Sequence, residues 1–169
     1  MVNRRRIVIL LLCLTAAAAG FFLLHQSEAD TIRSQLKTLS ELTSKNGPES
    51  PIIAVSQAKK TAELFTDPCF LKIPQAPYDN LSGPFSRQDI RAYTLRARSG
   101  FEQISLDLHD ISISLPETVK ARARLTAHLH AASNNTQPLE AFHELRCLFQ
   151  KIDGQWYIKE ITAVDVLER

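Results

Sequence analysis

Val119-Lys120-Ala121-Arg122-Ala123-Arg124-Leu125-Thr126-Ala127-His128-Leu129-His130-Ala131 alternates without a break between apolar residues and basic, hydroxyl or imidazole ones. A period of two is that of a strand, with one face turned to a core and the other left polar. On the amino-terminal side, Ile104, Leu106 and Leu108 alternate in one parity, then Ile111, Ile113 and Leu115 in the other. A slip of one residue at His109-Asp110 is what a β-bulge produces. On the carboxy-terminal side, Ser133-Asn134-Asn135-Thr136 reads as a turn and residues 139–152 as a second long strand. Asp153-Gly154 is a tight hairpin turn, and the last strand runs from Trp156 to Leu167.

Upstream the period changes to that of a helix. Ile32, Leu36, Leu39 and Leu42 recur at helical spacing over about 31–45, with Asp30 as cap. Asn46-Gly47-Pro48 breaks this helix. Ser50-Pro51 then caps and opens a second one, whose stripe is Ile52, Val55, Ala58, Ala62 and Phe65 and which ends at Asp67-Pro68. Cys69 to Ile73 and residues near 80–84 make short strands. Ser86 with Asp89 forms a capping box for a third helix with Ile90, Tyr93, Ala97 and Phe101 on one face and Gly100 near its end. Helices followed by long strands on short turns predict an α+β fold: three helices packed on a curved, mostly antiparallel sheet. The other sheet face is left polar or used for association.

Ile7 to Leu24 holds no charged residue and follows Arg4-Arg5-Arg6. Eighteen helical residues reach about 27 Å, close to the hydrocarbon thickness of a bilayer. The arginines stay on the cytoplasmic side. The predicted organisation is a basic tail at 1–6, a transmembrane signal anchor at 7–24, a juxtamembrane helix and linker at 25–50, and the domain at 51–169. This places the chain in the inner membrane as a single-pass protein, with its domain in the periplasm. The alternative is secretion after signal-peptide cleavage, with Ser27 and Ala29 as the small residues before the cut.

The chain carries 20 Lys and Arg against 18 Asp and Glu. Without the three leading arginines the remainder is slightly acidic, so no basic surplus marks the domain for nucleic acid. Glycine-rich phosphate loops, nucleophile elbows and CxxC motifs are absent from the sequence. Outside the apolar run stand Cys69 and Cys147, which pair as a disulfide in an oxidising compartment or remain as two buried thiols.

Three stretches together resemble the nuclear transport factor 2-like superfamily, the cystatin-like cone that scytalone dehydratase and ketosteroid isomerase share. They are Ser86-Arg87-Gln88-Asp89-Ile90, the bent strand Leu106-Asp107-Leu108-His109-Asp110-Ile111-Ser112-Ile113, and Phe149-Gln150-Lys151-Ile152-Asp153-Gly154-Gln155-Trp156-Tyr157-Ile158. The likeness covers about 51–169. It implies a cone closed by helices, and it leaves function open because this fold carries enzymes and binding modules alike. Enzymes of this kind place an acidic or histidine base, often with a tyrosine, inside the cone. Tyr93, His109, Asp110 and His143 are the residues that could serve, but the acids and tyrosine of the isomerase do not map here. No catalytic residue is therefore assigned.

Tyr93, His143 and Trp156 are the candidates for lining a ligand pocket, Trp156 either as a core anchor or as a stacking ring. His128-x-His130 would be a workable metal pair but lacks a third ligand and stands beside Lys120, Arg122 and Arg124, so no metal and no cofactor is expected. The favoured reading is a non-enzymatic binding or scaffold domain, with a small apolar ligand in the cone or a partner in an envelope complex. Homodimerisation through the open sheet face goes with it. A tail, an anchor and an outer domain of this kind are similar in plan to scaffold subunits of type IV secretion machines and to membrane proteins of lipid-uptake systems. The alternative is a dehydratase- or isomerase-type enzyme using a buried histidine or acid.

Overall fold

The computed structural model describes residues 28–73, 81–133 and 136–164. Helix α1 occupies 28–43 of these, followed by the two-residue strand β1 (Lys45–Asn46), α2 (Pro51–Glu63), β2 (Phe65–Ile73), β3 (Leu81–Phe85) and α3 (Arg87–Gly100). Four long strands complete it: β4 (Gln103–Glu117), β5 (Lys120–Ser133), β6 (Thr136–Ile152) and β7 (Gln155–Ala163). They form one sheet in the order β1-β4-β5-β6-β7-β2-β3, antiparallel except for β2 beside β7. The expected α+β architecture, with helices against a bent sheet, is present. Residues 7–24 lie outside the described residues. Among the described residues, no helix is long and apolar enough to cross a membrane.

The alternation on β5 becomes the floor of the core. Ala121, Ala123, Leu125, Ala127 and Ala131 are buried, while Lys120, Arg122 and Arg124 are exposed. Alanines leave room over the sheet, and α1 fills it with Ile32 and Leu36, which are fully buried one turn apart. Phe149, Ile158 and Trp156 close the same cluster from β6 and β7. The slip in β4 is a real bulge: the register with β5 breaks between His109 and Ser112, and Asp110 takes φ +53°. The Asp153-Gly154 turn carries φ values of +50° and +81°, the left-handed pair that a two-residue hairpin needs.

The caps follow the sequence. Ser50 caps α2 with Pro51 at its first position. At α3, Ser86 Oγ accepts from the Asp89 amide at 3.2 Å while Asp89 Oδ2 accepts from the Ser86 amide at 2.9 Å. Hydrogen bonds from the Ser86 hydroxyl and amide hold the Asp89 carboxyl below the usual carboxylate range.

Four expectations need correction. Asp30 lies inside α1, not at its cap, and pairs with Arg33 at 2.8 Å. Helix α2 ends at Glu63, and Asp67-Pro68 sits within β2 as a cis peptide in the irregular stretch between Phe65 and Phe70. A proline is tolerated in a strand at such a bulge. The buried face of α2 is Ala54, Ala58, Thr61 and Ala62, so Ile52 is 81% exposed and Ile53 and Val55 are exposed with it. Small residues won that face because α2 packs closely on α3. Tyr93 is also outside, 41% exposed, with its ring edge-on to Phe85 at 5.7 Å.

Candidate functional site

The inner face of the sheet can be read row by row from the strand registers. Leu108 lies opposite Ala127 and Ala127 opposite His143. The next row is Leu106, Leu129, Ala141, and the next Ile104, Ala131, Leu139. Side chains in one row share a face. His143 is therefore on the apolar side of β6 together with Leu145, Cys147 and Phe149, and it is half-buried. It is the single imidazole on the inner rows of β4 to β6, which are otherwise aliphatic apart from Phe149 and the Cys147 thiol. Those rows bring no carboxylate to it.

A recess opens beside these rows, where α3 leaves the sheet. Ala97 and Phe101 form its roof, Ile104, Leu129, Ala131 and Leu139 its floor, and its volume is about 190 Å³. Its surface is nearly all carbon, with the Thr43 and Thr94 hydroxyls and the edge of Arg98 as the polar exceptions. A dry apolar cavity of roughly 150 Å³ accepts benzene, whereas drug-sized ligands need about 300 Å³ or more. The recess therefore suits one small apolar ring or a short branched chain.

Arg98 holds this corner. It is buried, and its Nε and Nη2 donate to the two carboxylate oxygens of Glu49 at 2.8 and 2.7 Å. Its Nη1 donates to the carbonyls of Leu42 and Thr43 at 2.6 and 3.1 Å. Those carbonyls belong to the last turn of α1, where backbone acceptors lack intrahelical partners. A guanidinium with a bidentate carboxylate is the geometry that makes a buried charge tolerable. With its charge matched by Glu49, Arg98 is a structural cap at the edge of the recess.

The three residues expected to line a pocket are not brought together. Tyr93 faces outward from α3. Trp156 is 5% exposed within the core, and its Nε1–H donates to Glu28 Oε2 at 2.5 Å. His143 is half-buried on the inner row of β6. His109 and Asp110 are exposed at the bulge. His128 stacks on Phe142 with ring centroids 4.1 Å apart and has Nε2 3.0 Å from Glu140 Oε1, on the outer face. Among the described residues, no group of three His, Cys, Asp or Glu side chains could hold a metal ion.

Cys69 and Cys147 are free and buried. Cys147 is opposite Ile161 on β7, and Ile161 is opposite Leu71 on β2, so a whole strand separates the two thiols. Two strand spacings are about 9.6 Å, beyond the Cα separation that a disulfide spans. The bridge weighed from the sequence is not made. Burial instead pushes the thiols up, to about 11 for Cys69 and about 12 for Cys147.

Sequence reading missed Arg98 and Glu28. Both look like ordinary charged residues of solvent-facing helix positions, and their partners lie 49 and 128 residues away. It did place Ala97 and Phe101 on one face of α3, which is the roof of the recess.

No family model and no curated protein matches the chain. Solved structures do. A nuclear transport factor 2-like protein with a cystatin-like fold from Novosphingobium aromaticivorans superposes with a TM-score of 0.58 at 18% identity, covering 90% of this chain and 91% of that one. A protein from the same organism, suggested to be a scytalone dehydratase, gives 0.61 at 17% identity over 86% and 91%. Another, suggested to be an aromatic ring hydroxylase, gives 0.65 at 10% identity over 84% and 91%. At these identities the likeness shows the fold, a nuclear transport factor 2-like cone, and leaves ligand binding and catalysis both open.

Proposed function

We propose that the chain is a membrane-anchored binding domain, held outside the cytoplasm, whose cone takes one small apolar molecule in the recess under α3. The observation that carries this reading is the carbon lining and the size of the recess. The rest of the inner face is filled by Phe149, Trp156, Ile158, Ile32 and Leu36. The enzymatic alternative rests on His143, and the inner rows of β4 to β6 offer it no carboxylate to orient or charge it.

Retention of the anchor draws support from Glu28. Cleavage after Ala29 would remove the carboxylate that accepts from Trp156 Nε1–H and from Lys151 Nζ. A buried indole N–H left without an acceptor costs about 1–3 kcal/mol. The mature domain of the secreted alternative would thus begin by losing a core contact.

The test is thermal unfolding of the full chain in lipid nanodiscs, followed by the fluorescence of its one tryptophan, with benzene supplied at fixed vapour pressure. A ligand bound to the native state alone raises the unfolding temperature. Benzene should do so in the native sequence and not in Ala97→Leu, which fills the recess. The same response in both proteins, or in neither, would sink the proposal.

A further inference from the structure

We infer that the end of the domain carrying the β4–β5 and β6–β7 turns is a membrane-docking surface, seated on the lipid interface by Val119 and Ile152. This rests on the reading of residues 7–24 as a retained anchor. Leu24 is four residues from Glu28, a reach of at most about 14 Å even when fully extended. Glu28 is not free to wander. Its carboxylate accepts from Lys151 Nζ and from Trp156 Nε1–H, at the foot of the β6–β7 hairpin. Two helical turns further on, Gln35 Nε2 donates to the Trp156 carbonyl at 2.7 Å. The first turn of α1 is therefore tied to the hairpin, and whatever surface surrounds it must lie within that short reach of the bilayer.

That surface has the right chemistry. Val119 is 48% exposed and Ile152 40% exposed, two of the few large apolar side chains left open to solvent. They belong to neighbouring turns, since the Lys151 amide donates to the Val119 carbonyl at 2.9 Å. Beside them Lys151 pairs with Glu28, and Lys120 with Glu117 at 3.0 Å, while the exposed carboxylate of Asp153 in the β6–β7 turn stays among the wet headgroups. An apolar pair flanked by paired lysines can enter the headgroup interface at shallow depth, where a neighbouring carboxylate remains hydrated. The lysine stems can extend over the lipid while their heads stay wet.

The domain has a second exposed apolar cluster, Ile52, Ile53 and Val55 at the start of α2. It lies at the opposite end. Glu49, just before α2, is bound by Arg98, and Arg98 holds the last turn of α1. The 16 residues of α1 separate the two ends by about 24 Å. The tether selects the hairpin end. The recess, lined by Thr43 from the end of α1, then lies at the end away from the bilayer.

The full chain, with Cys13 replaced by serine and a fluorophore placed at Gln155→Cys or, separately, at Ile52→Cys, is reconstituted in phosphatidylcholine–phosphatidylglycerol vesicles. Some of the lipids carry a nitroxide quencher on the headgroup. Quenching should be several-fold greater at position 155 than at position 52, and Val119→Asp with Ile152→Asp should remove most of that difference while the protein still floats with the vesicles. A chain that does not float with vesicles overturns the anchor and the docking together. A floating chain with equal quenching at both positions, or more at 52, overturns the docking alone. A difference untouched by the aspartates overturns the role of the apolar pair.

Discussion

Arg98 on α3 grips both carboxylate oxygens of Glu49, and with the same guanidinium it caps the last carbonyls of α1. Helices α1 and α3 and the segment leading into α2 thereby meet on one buried charge. Removing a partner from such a pair costs about 3–5 kcal/mol, because the remaining charge stays buried. Glu49→Ala should lower the urea midpoint of the full chain sharply. The double change Glu49→Leu with Arg98→Met should recover only part of the loss, since the Leu42 and Thr43 carbonyls still lack their donor. Full recovery would show that the cap contributes nothing.

Trp156 is the core anchor of the last hairpin. Trp156→Ala should cost about 3–5 kcal/mol, as other large-to-small core changes do. Glu28→Ala should cost less, about 1–3 kcal/mol, through the orphaned indole N–H. Urea unfolding of both variants checks the order; equal midpoints for Trp156→Ala and the native chain would remove Trp156 from the core.

The two buried thiols set a pH dependence at the alkaline end. Their pKa values, about 11 for Cys69 and about 12 for Cys147, lie above the unfolded value of 9.0. Between pH 9 and 11 the unfolded chain has released thiol protons that the folded one keeps. Stability is complete below pH 9 and falls as pH rises through that window. At pH 8 the folded thiols should react with a thiol-specific reagent far more slowly than in urea, since the thiolate is the reactive form. Fast labelling of Cys147 in the native protein would contradict its burial.

On the outer face, Arg124 lies directly opposite Arg146, with Arg122 one position along the same face. Like charges in register repel, by up to about 1 kcal/mol. Arg124→Glu together with Arg122→Glu should therefore leave the melting temperature unchanged or slightly higher. We expect the same double change to alter self-association through this face, read by sedimentation in the analytical ultracentrifuge. Unfolding of the double variant would mean that the face is not the solvent side.

What was legible in the sequence was local and periodic. The alternation on β5 announced both faces of the sheet, the parity flip located the bulge at Asp110, and Ser86 with Asp89 located the start of α3. The face of α2 was misread because hydrophobicity pointed to Ile52 and Val55, whereas the close approach of α3 selected Ala54, Ala58 and Ala62. Tyr93 was misplaced for a related reason: helical spacing assigns it a stripe, but only the neighbouring strand reveals that Phe85 meets it outside the cone. Of the site, the roof residues Ala97 and Phe101 could be seen in advance. The floor could not, since Leu129 and Leu139 meet only through the β5–β6 register.

The bond between Glu28 and Trp156 spans 128 residues, and that span has a meaning in time. During synthesis at about 5–20 residues per second, roughly 6–26 s pass between the two residues. Through that interval α1 exists without the strand that completes its site, and Ile32 and Leu36 have no finished floor to cover. The first helix of the domain is thus among the last to find its place. A chain interrupted before β7 would leave Ile32 and Leu36 of α1 without the complete floor that buries them.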